Sequence, residues 1–166
     1  MDTLVTYLAA ILSIGIGATA IMDIWGLARK QLLGMAAPDY CLVGRWFGHM
    51  PKGTFHHPSI RAAQPVRGEC VVGWIAHYLI GIGFAAVLML ISGLSWLHDP
   101  TLAPALAVGL GTLVAPFFLM QPGMGAGIAS ARVPKPNVAR IQSGVNHLVF
   151  GFGLYLSGVI FNLVSN

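Results

Sequence analysis

Five residues able to ligate, carry charge or exchange a proton stand inside stretches that are otherwise apolar: Asp23, His77, Gln121, Asn146 and His147. An ionisable side chain within a membrane-spanning helix is costly unless paired, neutral or near water, so such groups face a bundle interior and mark a candidate site. The two histidines share a local pattern. His77-x-x-x-Gly81-x-Gly83 recurs seventy positions on as His147-x-x-x-Gly151-x-Gly153. Three chemistries suit these residue types. Two imidazoles and a carboxylate, here His77, His147 and Asp23, match a ligand set for non-haem iron and are acceptable for zinc. The two histidines alone can ligate a single haem. Asp23 and the histidines can also pass protons or a small solute through the bundle. A fourth reading assigns no chemistry: the histidines hydrogen-bond to Asp23, Gln121 or Ser143 and fix the packing of the helices.

The elements that must position these residues are apolar runs at about 4–28, 71–94, 102–121 and 141–164. Each reaches the ~20 residues that a helix needs to cross the hydrocarbon core, where a helix satisfies its own backbone groups. With 56% hydrophobic and 8% charged residues, the 166-residue chain departs from the composition of soluble domains. It is expected to be all-α, a polytopic integral membrane protein whose four transmembrane helices form a single domain over residues 1–166. The first run is preceded by Asp2 and no Lys or Arg, the wrong charge for a cleaved signal peptide.

All nine Lys and Arg fall between the first two runs (Arg29, Lys30, Arg45, Lys52, Arg61, Arg67) or between the last two (Arg132, Lys135, Arg140). The positive-inside rule then makes these loops, about 29–70 and 122–140, cytoplasmic and turns both termini outward, to the periplasm in a bacterial inner membrane. The net charge of +4 reports topology and contact with anionic lipid headgroups. No soluble basic domain with interleaved aromatics is present, so nucleic acid is not an expected partner.

Counting from the loop boundaries puts Asp23, His77, Gln121, Asn146 and His147 at similar depth in the cytoplasmic half. Three i+4 rows organise the helices: Gly15, Thr19, Asp23; Gly73, His77, Gly81, Ala85; and Ser143, His147, Gly151, Tyr155. Small residues on such rows allow close backbone approach. Gly15-x-Gly17 and Gly109-x-Gly111 echo each other as the histidine motifs do, which suits a duplicated helical hairpin. Pro116 predicts a kink. The first loop is expected to be ordered, with a short helix over 39–50 at the headgroup level. Arg45, His49 and Glu69 are candidates to cap the polar layer from that loop, against the plainer alternative of headgroup contact. His49, His56 and His57 are too loosely spaced for a metal and read as solvated. Cys41 and Cys70 match no zinc or disulfide framework and are expected to be reduced thiols. Trp96 is placed at the outer interface. Gly123, Gly125 and Gly127 lack the strand before and the Lys-Ser/Thr after that a phosphate loop needs, and read as close packing or a re-entrant turn.

Gly44-Arg45-Trp46 with His49, Gly73-Trp74 with His77-Tyr78, Pro116-Phe117-Phe118 with Gln121-Pro122, Pro134-Lys135-Pro136, and His147 with Phe150-Gly151 together resemble a family of small bacterial inner-membrane proteins catalogued as domain of unknown function 2938. The resemblance covers nearly the whole chain. It implies a four-helix membrane protein and no activity.

The expected function is therefore binding or passage of a metal ion, a proton or a small solute at the polar layer. The alternatives are a membrane oxidoreductase or metalloenzyme, with haem or a divalent metal at the two histidines, and an accessory subunit of a membrane complex or homo-oligomer. Neither histidine-bearing helix has a second intramembrane histidine, which argues against a two-haem electron chain. The few charges argue against hydrolysis, which needs a general base besides the ligands.

Overall fold

A computed structural model describes residues 3–165, and these are helical without a strand. The apolar runs become α1 (Thr3–Leu33), α3 (Glu69–Ser92), a composite third span and α6 (Pro136–Ser165), with α2 (Tyr40–His49) in the first loop. Among the described residues four stretches are long and apolar enough to cross a membrane: Leu4–Leu33, Glu69–Ser92, Leu102–Gly123 and Pro136–Ser165. Leu90, Val164 and Leu32 on these helices are each more than 80% exposed, as lipid-facing side chains are.

Local chemistry sets the boundaries. α1 runs past Arg29 and Lys30, beyond the expected end at Ala28, and stops where Gly34 adopts φ +63°. The Met35 N–H then bonds the Arg29 carbonyl at 3.3 Å, a closure that needs the left-handed residue glycine supplies. Asp39 caps α2 by accepting from the Cys41 N–H at 3.2 Å. Pro136 opens α6 before the expected start at Ile141, since its missing N–H is an orphan there in any case.

The third span comprises α4 (Leu102–Gly111), a wide π turn (Pro116–Met120) and α5 (Gln121–Gly123). Pro116 has no N–H to give to the turn before it. The ladder widens, and the Gln121 N–H reaches back to the Pro116 carbonyl.

The chain divides into two compact units. The first holds α1, Tyr78–Thr112 and the part of α6 from Val145. Its core is built around Ile14, Leu88 and Leu154, all fully buried, with Ala10, Ala18, Ala85 and Ala105 between them. The glycine rows are its seams. A Cβ on Gly15 would strike the Ile82 backbone, one on Gly81 would strike the Thr19 hydroxyl, and one on Gly109 would lie 2.6 Å from the Gly151 Cα. Helices in lipid gain little from hydrophobic exclusion, so such backbone approach is a main source of their attraction. Trp96, in the connection between two spans, turns inward: it is 4% exposed, packed over Gly158, and donates its Nε1–H to the Thr101 carbonyl at 3.1 Å.

The second unit holds Pro38–His77 and Leu113–Gly144. The long loop is ordered there. His57 and Ile60 donate their N–H groups to the carbonyls of Gly123 (2.8 Å) and Met124 (3.0 Å). Gly123 lies under the Trp46 indole, and Gly125, at φ +94°, lies against the Pro58 carbonyl. The glycines of 123–127 thus serve close packing, as the sequence suggested.

Candidate functional site

Within the first unit Asp23 is half-buried, and one carboxylate oxygen accepts from the Tyr78 hydroxyl at 3.0 Å. Tyr78 follows His77 directly, yet sequence reasoning passed over it because it falls off the Gly73-His77-Gly81 row. One turn before Asp23, the Thr19 hydroxyl donates to the Gly15 carbonyl at 2.8 Å.

The environment of His147 fixes which of its nitrogens carries the proton. The Thr112 hydroxyl is 2.6 Å from the Gly109 carbonyl oxygen and 2.7 Å from His147 Nδ1. A carbonyl only accepts, and a hydroxyl has one proton to give. That proton goes to Gly109, so Nδ1 must donate to Thr112, and the neutral imidazole is left with its lone pair on Nε2. A partner on one ring nitrogen that frees the other as base or ligand is the arrangement functional histidines use. Beside it in sequence, Asn146 has a buried Oδ1 without a partner. Arg29, absent from the sequence-based candidates, is 4% exposed, with its guanidinium over the Trp25 ring and Nε unpartnered.

The other two candidates belong to the second unit. The His77 imidazole stacks on the Tyr40 ring, centroids 3.9 Å apart, with Trp74 edge-on to Tyr40 at 4.8 Å. Gln121 accepts from the Ser130 hydroxyl at 3.0 Å; Ser130 itself is buried with φ +58°, a conformation that non-glycine residues adopt rarely. Among the described residues no group of three or more His, Cys, Asp or Glu side chains is arranged to hold a metal ion; the ligand set read from the sequence finds no support there.

Of the loop residues, Arg45 and Glu69 come together as a fork, Nε to Oε2 at 2.9 Å and Nη2 to Oε1 at 2.7 Å. Arg45 also donates to the carbonyls of Arg61 (3.3 Å) and Ala63 (3.2 Å), and Glu69 accepts from the Val66 N–H at 2.8 Å. This bidentate geometry, which only a guanidinium offers, staples the loop 60–66 to the start of α3. The bond to Glu69 raises the Arg45 pKa further above its ordinary value. His49 donates its Nε2–H to the Gln64 carbonyl at 2.9 Å. His57 is not solvated as expected: it is 6% exposed, its Nε2 has no partner, and its ring lies edge-on to His49.

The largest correction concerns the cysteines. Cys41 and Cys70 are joined in a disulfide, not separate thiols. Each is followed three residues later by glycine, in Cys41-Leu42-Val43-Gly44 and Cys70-Val71-Val72-Gly73. A Cβ on Gly44 would collide with the Glu69 carbonyl, and one on Gly73 with the Tyr40 carbonyl. The two helix starts therefore cross reciprocally, the residue before each cysteine seated on the other helix's glycine. The repeated Cys-x-x-Gly was the available signal, but the 29-residue separation hid the pairing.

The family model described as "Protein of unknown function (DUF2938)" matches residues 12–161. No curated protein and no solved structure matches the chain.

Proposed function

We propose that this chain, which belongs to the DUF2938 family of proteins of unknown function, is a membrane protein that binds a proton or a small polar solute at Asp23 and His147. One observation carries this: the Thr112 hydroxyl can satisfy the Gly109 carbonyl only if His147 donates from Nδ1, which leaves Nε2 as a proton acceptor in an apolar helix. Asp23, held by the Tyr78 hydroxyl, supplies a second proton-binding group in the same unit. A carboxylate and a neutral imidazole are both proton acceptors, so each can take up a proton from water and release it again. The basic loops argue that this end of the helices faces the cytoplasm of a bacterial inner membrane.

The test is proton flux in proteoliposomes that contain a pH-sensitive dye, driven by a potassium diffusion potential. Wild type is expected to exceed empty vesicles, and His147→Gln and Asp23→Asn to fall to the empty-vesicle rate. Wild-type flux equal to that of empty vesicles, with added amino acids, sugars and phosphate changing neither flux nor thermal stability, would sink this reading. The same free Nε2 is the atom that a metal or haem iron would take. A stoichiometric metal or a haem absorption band in the wild type, lost in His147→Ala, would favour the metalloenzyme alternative instead.

A further inference from the structure

We infer that Cys41 and Cys70 form a thiol–disulfide exchange site whose substrate is a small anionic thiol of the glutathione class. The pairing rests on a crossing that does not depend on the sulfur–sulfur bond. Gly44 and Gly73 admit the partner backbone on both sides, and the Arg45–Glu69 fork fastens the same two helices. Reduction leaves these contacts in place, so the sulfurs stay within reach of each other and the couple is prepared to close again. A cross-link whose only role was to hold the helices together would add little to a junction already fastened twice.

Position distinguishes the two sulfurs. Cys70 is exposed and Cys41 half-buried, so an incoming thiolate attacks Cys70 Sγ and Cys41 leaves. Both sulfurs lie in the first turn of a helix, Cys41 in α2 and Cys70 in α3, where backbone N–H groups and the helix dipole stabilise a thiolate, so exposure decides which is attacked. The Asp39 carboxylate is also beside Cys41, directed to its N–H and facing Arg61 at 3.9 Å. The Glu69 carboxylate next to Cys70 is matched by Arg45. Exposed Arg67 and Arg61 stand on the approach segment before Cys70, which suits a thiol carrying carboxylates. The steps balance. The first thiolate bonds to Cys70 Sγ and breaks the protein disulfide, releasing the Cys41 thiolate. A second thiolate attacks the substrate sulfur of the mixed disulfide, releasing the Cys70 thiolate and a small-molecule disulfide. Two thiols lose two electrons and two protons, and both cysteines receive them; the reverse sequence reoxidises the site.

The test uses the full-length protein in membranes equilibrated with reduced and oxidised glutathione at graded ratios, acid-quenched and labelled with a maleimide–polyethylene glycol. The population is expected to move from zero to two labels as the reduced fraction rises, with unchanged helical circular dichroism. Cys41→Ser, which keeps the attacked sulfur, is expected to accumulate a glutathione mixed disulfide by intact mass, and Cys70→Ser to accumulate less. Labelling only after denaturation in dodecyl sulfate would make the bond a structural cross-link, and two labels at every ratio would mean that no couple exists. Either outcome overturns the inference, as does mixed disulfide forming equally or preferentially on Cys41.

Discussion

At the scale of single residues, two hydrogen-bond inventories have consequences. Thr112 joins His147 to the Gly109 carbonyl, so Thr112→Val strands both. Bonds of this kind between membrane helices average below ~1 kcal/mol, and an unsatisfied buried group adds to the loss. A drop of about 1 kcal/mol is expected in reversible unfolding by dodecyl sulfate, recovered by Thr112→Ser; equal stability of the valine and serine variants would remove the assigned tautomer's support. His57, in the first loop, has its pKa lowered from the ordinary 6.5 by burial first, then by His49 and His56. The fold keeps this imidazole neutral where the unfolded chain would take up a proton. Its stabilising contribution is complete above pH ~6.5 and declines as pH falls from there towards the folded value. The protection factors of residues 55–63, which are exchange rates taken relative to the intrinsic rate at each pH, are therefore expected to fall between pH 7.5 and 5, and His57→Phe to flatten that dependence. The tautomer and the buried His57 were both invisible in sequence, because each depends on a partner remote along the chain or on burial by the loop.

Helices meet at glycines, and the glycines are not equivalent. Gly109 and Gly151 face each other so closely that a methyl group on either must displace backbone, whereas Gly83 and Gly111 have nothing within 4 Å of a would-be Cβ. Gly109→Ala and Gly151→Ala are expected to destabilise by about 1–3 kcal/mol through overpacking. Gly83→Ala is expected to be neutral or to stabilise by up to ~1 kcal/mol, because alanine is the better helix former. The same dodecyl sulfate titration checks all three, and a loss at Gly83 as large as that at Gly109 would contradict these seams. The Gly-x-Gly pairs were visible as motifs, but which of their glycines touch a neighbour was not: Gly15, Gly17 and Gly109 meet other helices and Gly111 does not. Periodicity places residues on a face and leaves the opposing face undefined. The Arg45–Glu69 fork follows the same logic. Arg45→Lys keeps the charge and loses the bidentate geometry, so limited proteolysis within 60–66 is expected to accelerate.

For the whole molecule, the distribution of Lys and Arg sets a topology that labelling can check. In a background with Cys41→Ser and Cys70→Ser, a cysteine at Asp99 is expected to react with a membrane-impermeant maleimide in intact spheroplasts, and one at Thr54 only after lysis. The opposite pattern would put the basic loops, and with them the cysteine pair, on the outer side. The chain's composition determined that it is an all-helical membrane protein with four spans, because burial in lipid demands long apolar runs and internally bonded backbone. Capping chemistry determined much of where the helices end and begin, as at Gly34 and Pro136, since a cap acts within one turn. Tertiary structure alone decided that Cys41 meets Cys70, that Tyr78 serves Asp23, that Trp96 turns inward and that Thr112 orients His147. Those pairings join segments far apart in sequence, and their energies come from fitted surfaces and shared protons that no local pattern encodes.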